Sequence, residues 1–436
     1  MSARLLLLLL FLVSAGCAAQ APAKDPVDPA LVRQVKSRLA ALRGLDFKAD
    51  VPIEVRGQAA MLRYFEQDLE EDFGADGLAL KSLAYGKLGL IPPKVDLKKA
   101  LLEFYDAQVV AFYDPKKKKL VVPESLAEVI AARGGESGEP VLILAHELTH
   151  ALQDQHFSLA ERTARGSDDD GDLALRAVIE GDATLAGYAY MGLGPAALAQ
   201  MGRAIQDNMK ETRATLPNVP EAIIEEMLFQ YYGGVAFVLR LLEERDWRAV
   251  DALYAAPPLS TEQVLHPEKY FTFPDPPTKI ELNDLAALFP PGWRQIENNV
   301  MGELMVRVLF ARFLGEADAK LVSEGWDGDR FVAFRRGDEV AFVWASVWDS
   351  EEDAEEFSRG YRRLVEKKYP DARSAGAVTV ERRGRQALVV EGLPRDRVKE
   401  GVEKIWRGMT ATEAPFKSPF PPPTGALPIS TESITP

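Results

Sequence analysis

Residues 146–150 read His-Glu-Leu-Thr-His, in a chain of 436 residues that contains only four histidines. Positions i and i+4 of an α-helix lie one above the other, so His146 and His150 can present both imidazoles to one metal ion, with Glu147 beside it. The apolar run 141–145 ahead of the motif predicts a buried helix. Two core histidines with an exposed glutamate are the alternative. Burying imidazoles and a carboxylate without a partner costs free energy, and this favours the interpretation that they bind a metal ion.

A third protein ligand must lie outside this motif, because a catalytic zinc ion takes three and keeps a fourth position for water. Glu180, in the helical segment 175–184, is one candidate. His156 is the other, since it falls ten residues after the first histidine, the interval of the HExxHxxGxxH pattern. In that pattern a glycine breaks the helix, so that the chain can turn back toward the metal. This chain has Gln153 at the corresponding position. The residues therefore favour Glu180, with the metal held between two antiparallel helices.

The stretch 146–155, followed by Glu-Gly-Asp-Ala at 180–183, resembles the gluzincin metallopeptidases. More narrowly, it is similar to bacterial and archaeal proteins of unassigned substrate that carry a peptidase MA-like domain. The likeness is close over 146–183 and looser from 104 to 270. It implies one bound zinc ion, with the ligands His146, His150 and Glu180 and with Glu147 as the general base.

One position departs from the thermolysin pattern within this family. Four residues beyond the ligand glutamate that group has an aspartate, whereas this chain has Thr184. We therefore expect Asp182 or Asp154 to orient a ligand histidine instead.

The chemistry implied by these residue types is hydrolysis. Zinc lowers the pKa of its bound water toward neutrality, and Glu147 would take the proton and pass it to the departing amine. A donor for the oxyanion is also required, and the segment 260–270 offers His266 and Tyr270. A helix end stopped by Pro267, with the tyrosine packed nearby, is the alternative interpretation of this segment.

A β-hairpin is predicted from residues 108–113 and 120–122, with lysines 116–119 at its tip. An edge strand at this place could bind an extended peptide by main-chain pairing. The lysines themselves are more typical of a solvated turn that discourages aggregation.

The N-terminus has the layout of a bacterial lipoprotein signal peptide over residues 1–17. A nine-residue apolar run, too short to span a bilayer, leads to Ser-Ala-Gly and then to Cys17, the only cysteine. This resembles a lipobox, which implies an acylated Cys17 and a membrane anchor. Ala18 then points to the outer membrane of a bacterial cell envelope. Ordinary signal cleavage with a free cysteine is the alternative.

The fold class predicted is α+β. After a tether at 18–29, we expect a mostly helical gluzincin-like unit with a small edge-strand sheet at 30–272. Two hairpin-helix units at 278–412 predict an accessory α+β domain with helices on one face of an antiparallel sheet. Residues 413–436 predict a disordered, proline-rich tail.

The functional expectation is a zinc-dependent peptidase that acts on a peptide or protein substrate. The alternative is a catalytically silent zinc-binding envelope lipoprotein with an assembly or chaperone role, and a zinc amidase or esterase would use the same water chemistry. The formal net charge of −14 disfavours nucleic acid as a partner, because an acidic surface repels phosphate backbones.

Overall fold

The computed structural model describes residues 6–9, 27–132, 138–164, 168–194, 196–200, 213–371, 378–393 and 397–420. The fold class is α+β, as predicted. The helices are α1 (Pro29–Arg43), α2 (Gln58–Leu88), α3 (Leu97–Gln108), α4 (Glu124–Ala132), α5 (Glu139–Phe157), α6 (Leu159–Ala164), α7 (Asp169–Tyr190), α8 (Glu221–Leu242), α9 (Trp247–Ala255), α10 (Thr261–Leu265), α11 (Glu268–Phe271), α12 (Gly302–Leu314), α13 (Glu316–Ser323), α14 (Glu351–Lys368) and α15 (Val398–Gly408). The strands are β1 (Leu6–Leu9), β2 (Ile53–Arg56), β3 (Val109–Asp114), β4 (Lys119–Pro123), β5 (Thr278–Leu282), β6 (Arg294–Asn299), β7 (Trp326–Arg336), β8 (Glu339–Trp348), β9 (Val378–Arg383), β10 (Gln386–Glu391) and β11 (Met409–Glu413).

The first sheet has the strand order β1-β3-β4-β2. Strands β3 and β4 form the predicted antiparallel hairpin, in which Phe112 pairs with Val121. Strand β2 adds parallel to β4, and β1, from the predicted leader, lies antiparallel to β3. Cys17 and most of the predicted tether lie outside the described residues. Val27 is already buried, and α1 begins at Pro29.

Helix α5 carries the His-Glu-Leu-Thr-His motif through the core, as predicted. Pro140 lies in its first turn, and Ser158 ends it in a left-handed conformation. Its apolar residues, among them Val141 and Leu144, pack in one cluster with α1 and with strands β3 and β4. The helix continues without a break to Phe157. The motif residues are therefore held on a rigid element between a sheet and other helices.

Helices α7 and α8 cross at a direct backbone contact between two glycines. A Cβ atom added to Gly181 would lie 2.2 Å from the Gly234 carbonyl oxygen, and one added to Gly234 would lie 2.0 Å from the carbonyl oxygen of Ala177. Only glycine permits this approach, because it has no Cβ atom. The contact fixes the distance between α7, which carries Glu180, and α8.

Helix α8 is, among the described residues, long and apolar enough to cross a membrane by length and composition. However, 78% of its apolar window is buried inside the protein, as expected of a core helix.

The C-terminal sheet has the strand order β6-β7-β8-β10-β9 and contains the two predicted hairpins. The prediction that its helices cover one face is wrong. Phe357 of α14 packs in the cluster of Trp344, whereas Val402 of α15 packs in the cluster of Val343. Successive residues of a strand point to opposite faces, so the helices cover both. The apolar run 341–347 in β8 explains this double burial, because it is interrupted only by a serine.

One hydrophobic cluster joins the two halves of the chain. It contains Phe65 and Leu88 of α2 together with Phe342 and Trp344 of β8. The predicted accessory domain therefore shares a core with the helical unit that precedes it.

The prediction of a disordered tail from residue 413 fails for 413–420. Glu413 pairs with Thr278 at the end of β11, and Phe420 is buried in the cluster that contains Tyr270. Aromatic side chains anchor this proline-rich segment despite its composition. Residues 421–436 lie outside the described residues.

Candidate metal centre

The structure brings His146, His150 and Glu180 together between α5 and α7. The two histidine Nε2 atoms lie 2.9 Å apart, and the Glu180 Oε2 atom is 3.2 Å from Nε2 of His146 and 3.4 Å from Nε2 of His150. Zinc bonds of about 2.0–2.1 Å at tetrahedral angles separate neighbouring ligand atoms by about 3.3 Å. The spacing of the three side chains therefore suits one metal ion.

Unpaired buried atoms gather at the same place. Among the described residues, the Glu147 carboxylate oxygens and the His146 Nδ1 atom have no side-chain hydrogen-bond partner. The Glu180 carboxylate lies beside the two histidines. These residues are at most 1% exposed. A buried polar group without a partner costs roughly 1–3 kcal/mol. Several such groups in one spot fit a site that can hold a metal ion.

The electrostatics of the group place a negative charge on Glu180. Burial alone would raise the pKa of Glu180, but the two histidines lower it to about 2. Burial alone would lower the pKa of His150, but Glu180 raises it to about 9. For His146 the effect of burial is the larger one, and its pKa falls to about 4. Burial also raises the pKa of Glu147 to about 8. Glu147 is therefore a stronger base than an exposed glutamate.

Gln153 orients His150, a role that the sequence analysis missed. The Gln153 Oε1 atom is 2.9 Å from Nδ1 of His150, while its Nε2 atom donates to the Ile179 carbonyl at 3.1 Å and to Asp182 at 3.0 Å. Because the amide nitrogen already donates twice, its oxygen must accept the Nδ1 proton. The Nε2 lone pair of His150 is then free for a metal.

The two aspartates expected to orient a histidine lie elsewhere. Asp182 acts one step away, through Gln153. Asp154 instead accepts a hydrogen bond from the Tyr113 hydroxyl at 2.9 Å. The Thr184 hydroxyl is buried and has no hydrogen-bond partner among the described residues.

The rival third ligand, His156, stays outside the group. It lies in the last turn of α5, where its Nε2 atom is 2.8 Å from the carbonyl oxygen of Asp46. A turn that brought it back to the other histidines would require α5 to end near Gln153, and α5 does not.

Neither proposed oxyanion donor from the segment 260–270 contacts the three ligand residues in the described structure. His266 pairs with Glu303, with 3.1 Å between Nε2 and Oε1. The Tyr270 hydroxyl donates to the carbonyl of Ala256, and its ring packs against Phe237. This arrangement matches the alternative interpretation, a helix end with a packed tyrosine.

Tyr231, on α8, is a polar residue of the centre that the sequence analysis missed. Its hydroxyl is buried and lies beside Glu180, to which it hydrogen-bonds. Burial raises its pKa well above the usual value, and the charges of Glu180 and Glu147 raise it further. The only signal in the sequence is its place one turn before Gly234, where α8 meets α7.

A second acidic group, Glu262, Asp275 and Asp349, also converges. The Lys269 ammonium lies between these carboxylates, 2.6 Å from Glu262, 3.0 Å from Asp275 and 2.8 Å from Asp349. A lysine already balances this charge, so the group is an ion-pair cluster.

Residues 290–402 match a family described only as a domain of unknown function (DUF8575). The match covers the C-terminal sheet and lies entirely after the metal centre in the chain. No curated protein matches the chain. No solved structure matches it either.

Proposed function

We propose that the protein is a zinc-dependent peptidase of the bacterial cell envelope, of the gluzincin type, with a lipid anchor at Cys17. The proposal is carried by the Glu147 carboxylate, which has no side-chain hydrogen-bond partner among the described residues and is buried beside three side chains that can share one metal ion. A structural zinc site needs ligands but no base beside them. The substrate would be a peptide or protein.

Zinc held by His146, His150 and Glu180 would supply an electrophile and a water molecule that ionises near neutral pH. Glu147 would accept the proton of that water and deliver it to the leaving amine. Burial raises its pKa to about 8, above that of an exposed glutamate, which favours its role as a proton acceptor and donor once the zinc-bound water ionises. Gln153 would keep the Nε2 lone pair of His150 directed at the ion.

We propose Tyr231 as the donor to the oxyanion, in place of His266 and Tyr270. Its hydroxyl is buried beside Glu180, and burial, the charges of Glu180 and Glu147 and hydrogen bonding to Glu180 all raise its pKa. A phenol in this position can donate a hydrogen bond to the oxyanion, because its high pKa keeps the hydroxyl protonated. His266 and Tyr270 already have partners elsewhere.

Strand β3 would align the substrate. The backbone amide of Tyr113 lies near enough to Glu147 to lower its pKa, although burial outweighs that effect. An extended peptide beside β3 would therefore run past the base. Strand β1, which pairs with β3, belongs to residues 1–17, and the proposal includes removal of that segment.

Complete burial favours a second candidate, a silent zinc-binding envelope lipoprotein with an assembly or chaperone role. Glu147, His150 and Glu180 have no exposed surface. Structural zinc sites are closed in this way, whereas catalytic sites keep one position open.

The test combines zinc analysis with cleavage profiling on a mixed peptide library. Wild-type protein should contain one zinc ion per chain and cleave peptides. Glu147→Gln keeps the side-chain size and removes the base, so it should keep zinc and lose hydrolysis by about 100-fold or more. Tyr231→Phe should keep zinc and the fold and lower kcat by about 100-fold.

Tyr270→Phe is the matched control for the tyrosine change, because it removes a hydroxyl that bonds only to the Ala256 carbonyl. It should leave kcat near the wild-type value. Cleavage by Glu147→Gln at the wild-type rate would refute the role of the base. Stoichiometric zinc without cleavage by the wild-type protein would establish the second candidate instead.

A further inference from the structure

Behind His150, buried contacts lead away from the metal centre to the N-terminal helix α1. Gln153, the partner of His150, donates to Asp182. Arg43 of α1 then holds Asp182 with two hydrogen bonds, from Nε at 3.0 Å and from Nη2 at 2.9 Å. Arg43 is 1% exposed and Asp182 is fully buried. Three charged or polar side chains thus connect α1 to a ligand histidine without access to solvent.

The geometry at Asp182 decides how Gln153 lies. The Oδ2 atom of Asp182 accepts from Gln153, from Arg43 and from the Tyr254 hydroxyl, the last at 2.8 Å. A carboxylate fixed by a two-pronged guanidinium presents only acceptors. Gln153 must therefore turn its amide nitrogen toward Asp182 and its oxygen toward His150. This orientation is the one that leaves Nε2 of His150 free for the metal.

The packing and the end of helix α1 place Arg43 beside Asp182. Leu39, one turn earlier on the same face, is buried in the cluster shared with α5. Gly44 adopts a positive φ of 67° and ends the helix directly after Arg43. The remaining donor, Nη1, bonds to Asp251 on α9 at 3.1 Å. One guanidinium therefore ties α1 to both α7 and α9.

We propose that α1 is a working part of the metal centre, in which Arg43, Asp182 and Gln153 are positioning residues that set the orientation of His150. This inference rests on the proposed zinc function. It makes residues 29–43 a structural requirement of the site, not a pro-segment that can be removed to open it. Arg43 acts on His150 through Asp182 and Gln153, so this part of its effect should disappear when Gln153 is gone.

The test measures the zinc dissociation constant of the full chain by competition with a chelator. Gln153→Ala should raise the dissociation constant by about 10- to 100-fold, and Arg43→Ala should raise it by a similar factor. Arg43→Lys keeps the charge but not the fork, so its effect should be smaller. Lys36→Ala is the control on the same helix, because Lys36 contacts the exposed Asp50 and the Phe47 ring and should leave zinc affinity unchanged.

The double variant Arg43→Ala/Gln153→Ala separates positioning from general stability. A shared route to His150 predicts that the loss in the double variant is smaller than the product of the two single losses. The absorption spectrum of the cobalt-substituted protein should change in Arg43→Ala and stay as in wild type in Lys36→Ala. Losses that multiply in the double variant would overturn the inference, as would an Arg43→Ala protein that melts earlier yet keeps its zinc affinity and cobalt spectrum.

Zinc binding and peptide cleavage distinguish the role of α1 from the proposed peptidase function. A wild-type protein that binds zinc but cleaves no peptide would refute the peptidase proposal, and the zinc measurements would still decide the role of α1. A wild-type protein that binds no zinc would overturn both.

Discussion

An alanine at Gly181 should weaken metal binding by separating two helices. Its Cβ atom would lie 2.2 Å from the Gly234 carbonyl oxygen and 2.3 Å from the carbonyl carbon. Non-bonded heavy atoms prefer about 3.5 Å, so α7 and α8 must move apart by about 1 Å. Both clashing atoms belong to the backbone, and no change of side-chain rotamer can relieve the contact.

The size of this shift sets the size of the effect. Glu180 is the neighbour of Gly181, and metal–ligand distances tolerate only about 0.2 Å. We therefore expect the zinc dissociation constant to rise by about 10-fold or more. Overpacking should also lower the free energy of unfolding by about 1–3 kcal/mol. This loss exceeds the gain of about 1 kcal/mol that alanine offers over glycine within a helix.

Gly187→Ala is the matched control on the same helix. Its Cβ atom would meet Leu142 Cδ1 at 3.1 Å, the end of a flexible side chain that can move aside. This variant should keep its zinc affinity and its stability. The assays are urea denaturation of the metal-free protein and chelator competition for zinc. Wild-type affinity and stability in Gly181→Ala would show that the glycine contact does not hold the site.

Three further predictions concern the ligands, the proton balance and the anchor. Metal analysis at micromolar zinc should show that Glu180→Ala loses stoichiometric zinc and that His156→Ala keeps it. The reverse result would identify His156 as the third ligand. Zinc binding should release a proton, because Glu180 overcomes the effect of burial and raises the pKa of His150 to about 9. Affinity should therefore rise by about tenfold per pH unit from pH 7 toward 9 and then level off, and a flat profile in chelator competition would contradict this. Cys17→Ser should shift the mature protein out of the detergent phase on partitioning, and unchanged partitioning would count against acylation.

The sequence predicted the parts of the site that depend on local geometry. His146 and His150 lie four residues apart, so any helix brings them together. Gln153 was within reach of the same argument, because i and i+3 also share a helix face, but it was considered only as a residue that resists a turn. Tyr231 was not predictable, since its place depends on the crossing of α7 and α8.

The same distinction holds for the rest of the fold. Both C-terminal hairpins were predicted from short turns between apolar strands. The covering of both sheet faces was missed, although the nearly continuous apolar run in β8 indicated it. Phe416 and Phe420 show the limit of composition, because two aromatic side chains can anchor a segment that is otherwise rich in proline.

The cluster that joins α2 to β8 has a consequence for folding during synthesis. Phe65 and Leu88 leave the ribosome long before Trp344, the residue they share a core with. Until the C-terminal strands arrive, the apolar face of α2 is covered only in part, by Tyr105 of α3 and Phe112 of β3, which contact Phe65. The helical unit therefore completes this cluster only after the C-terminal strands have been synthesised.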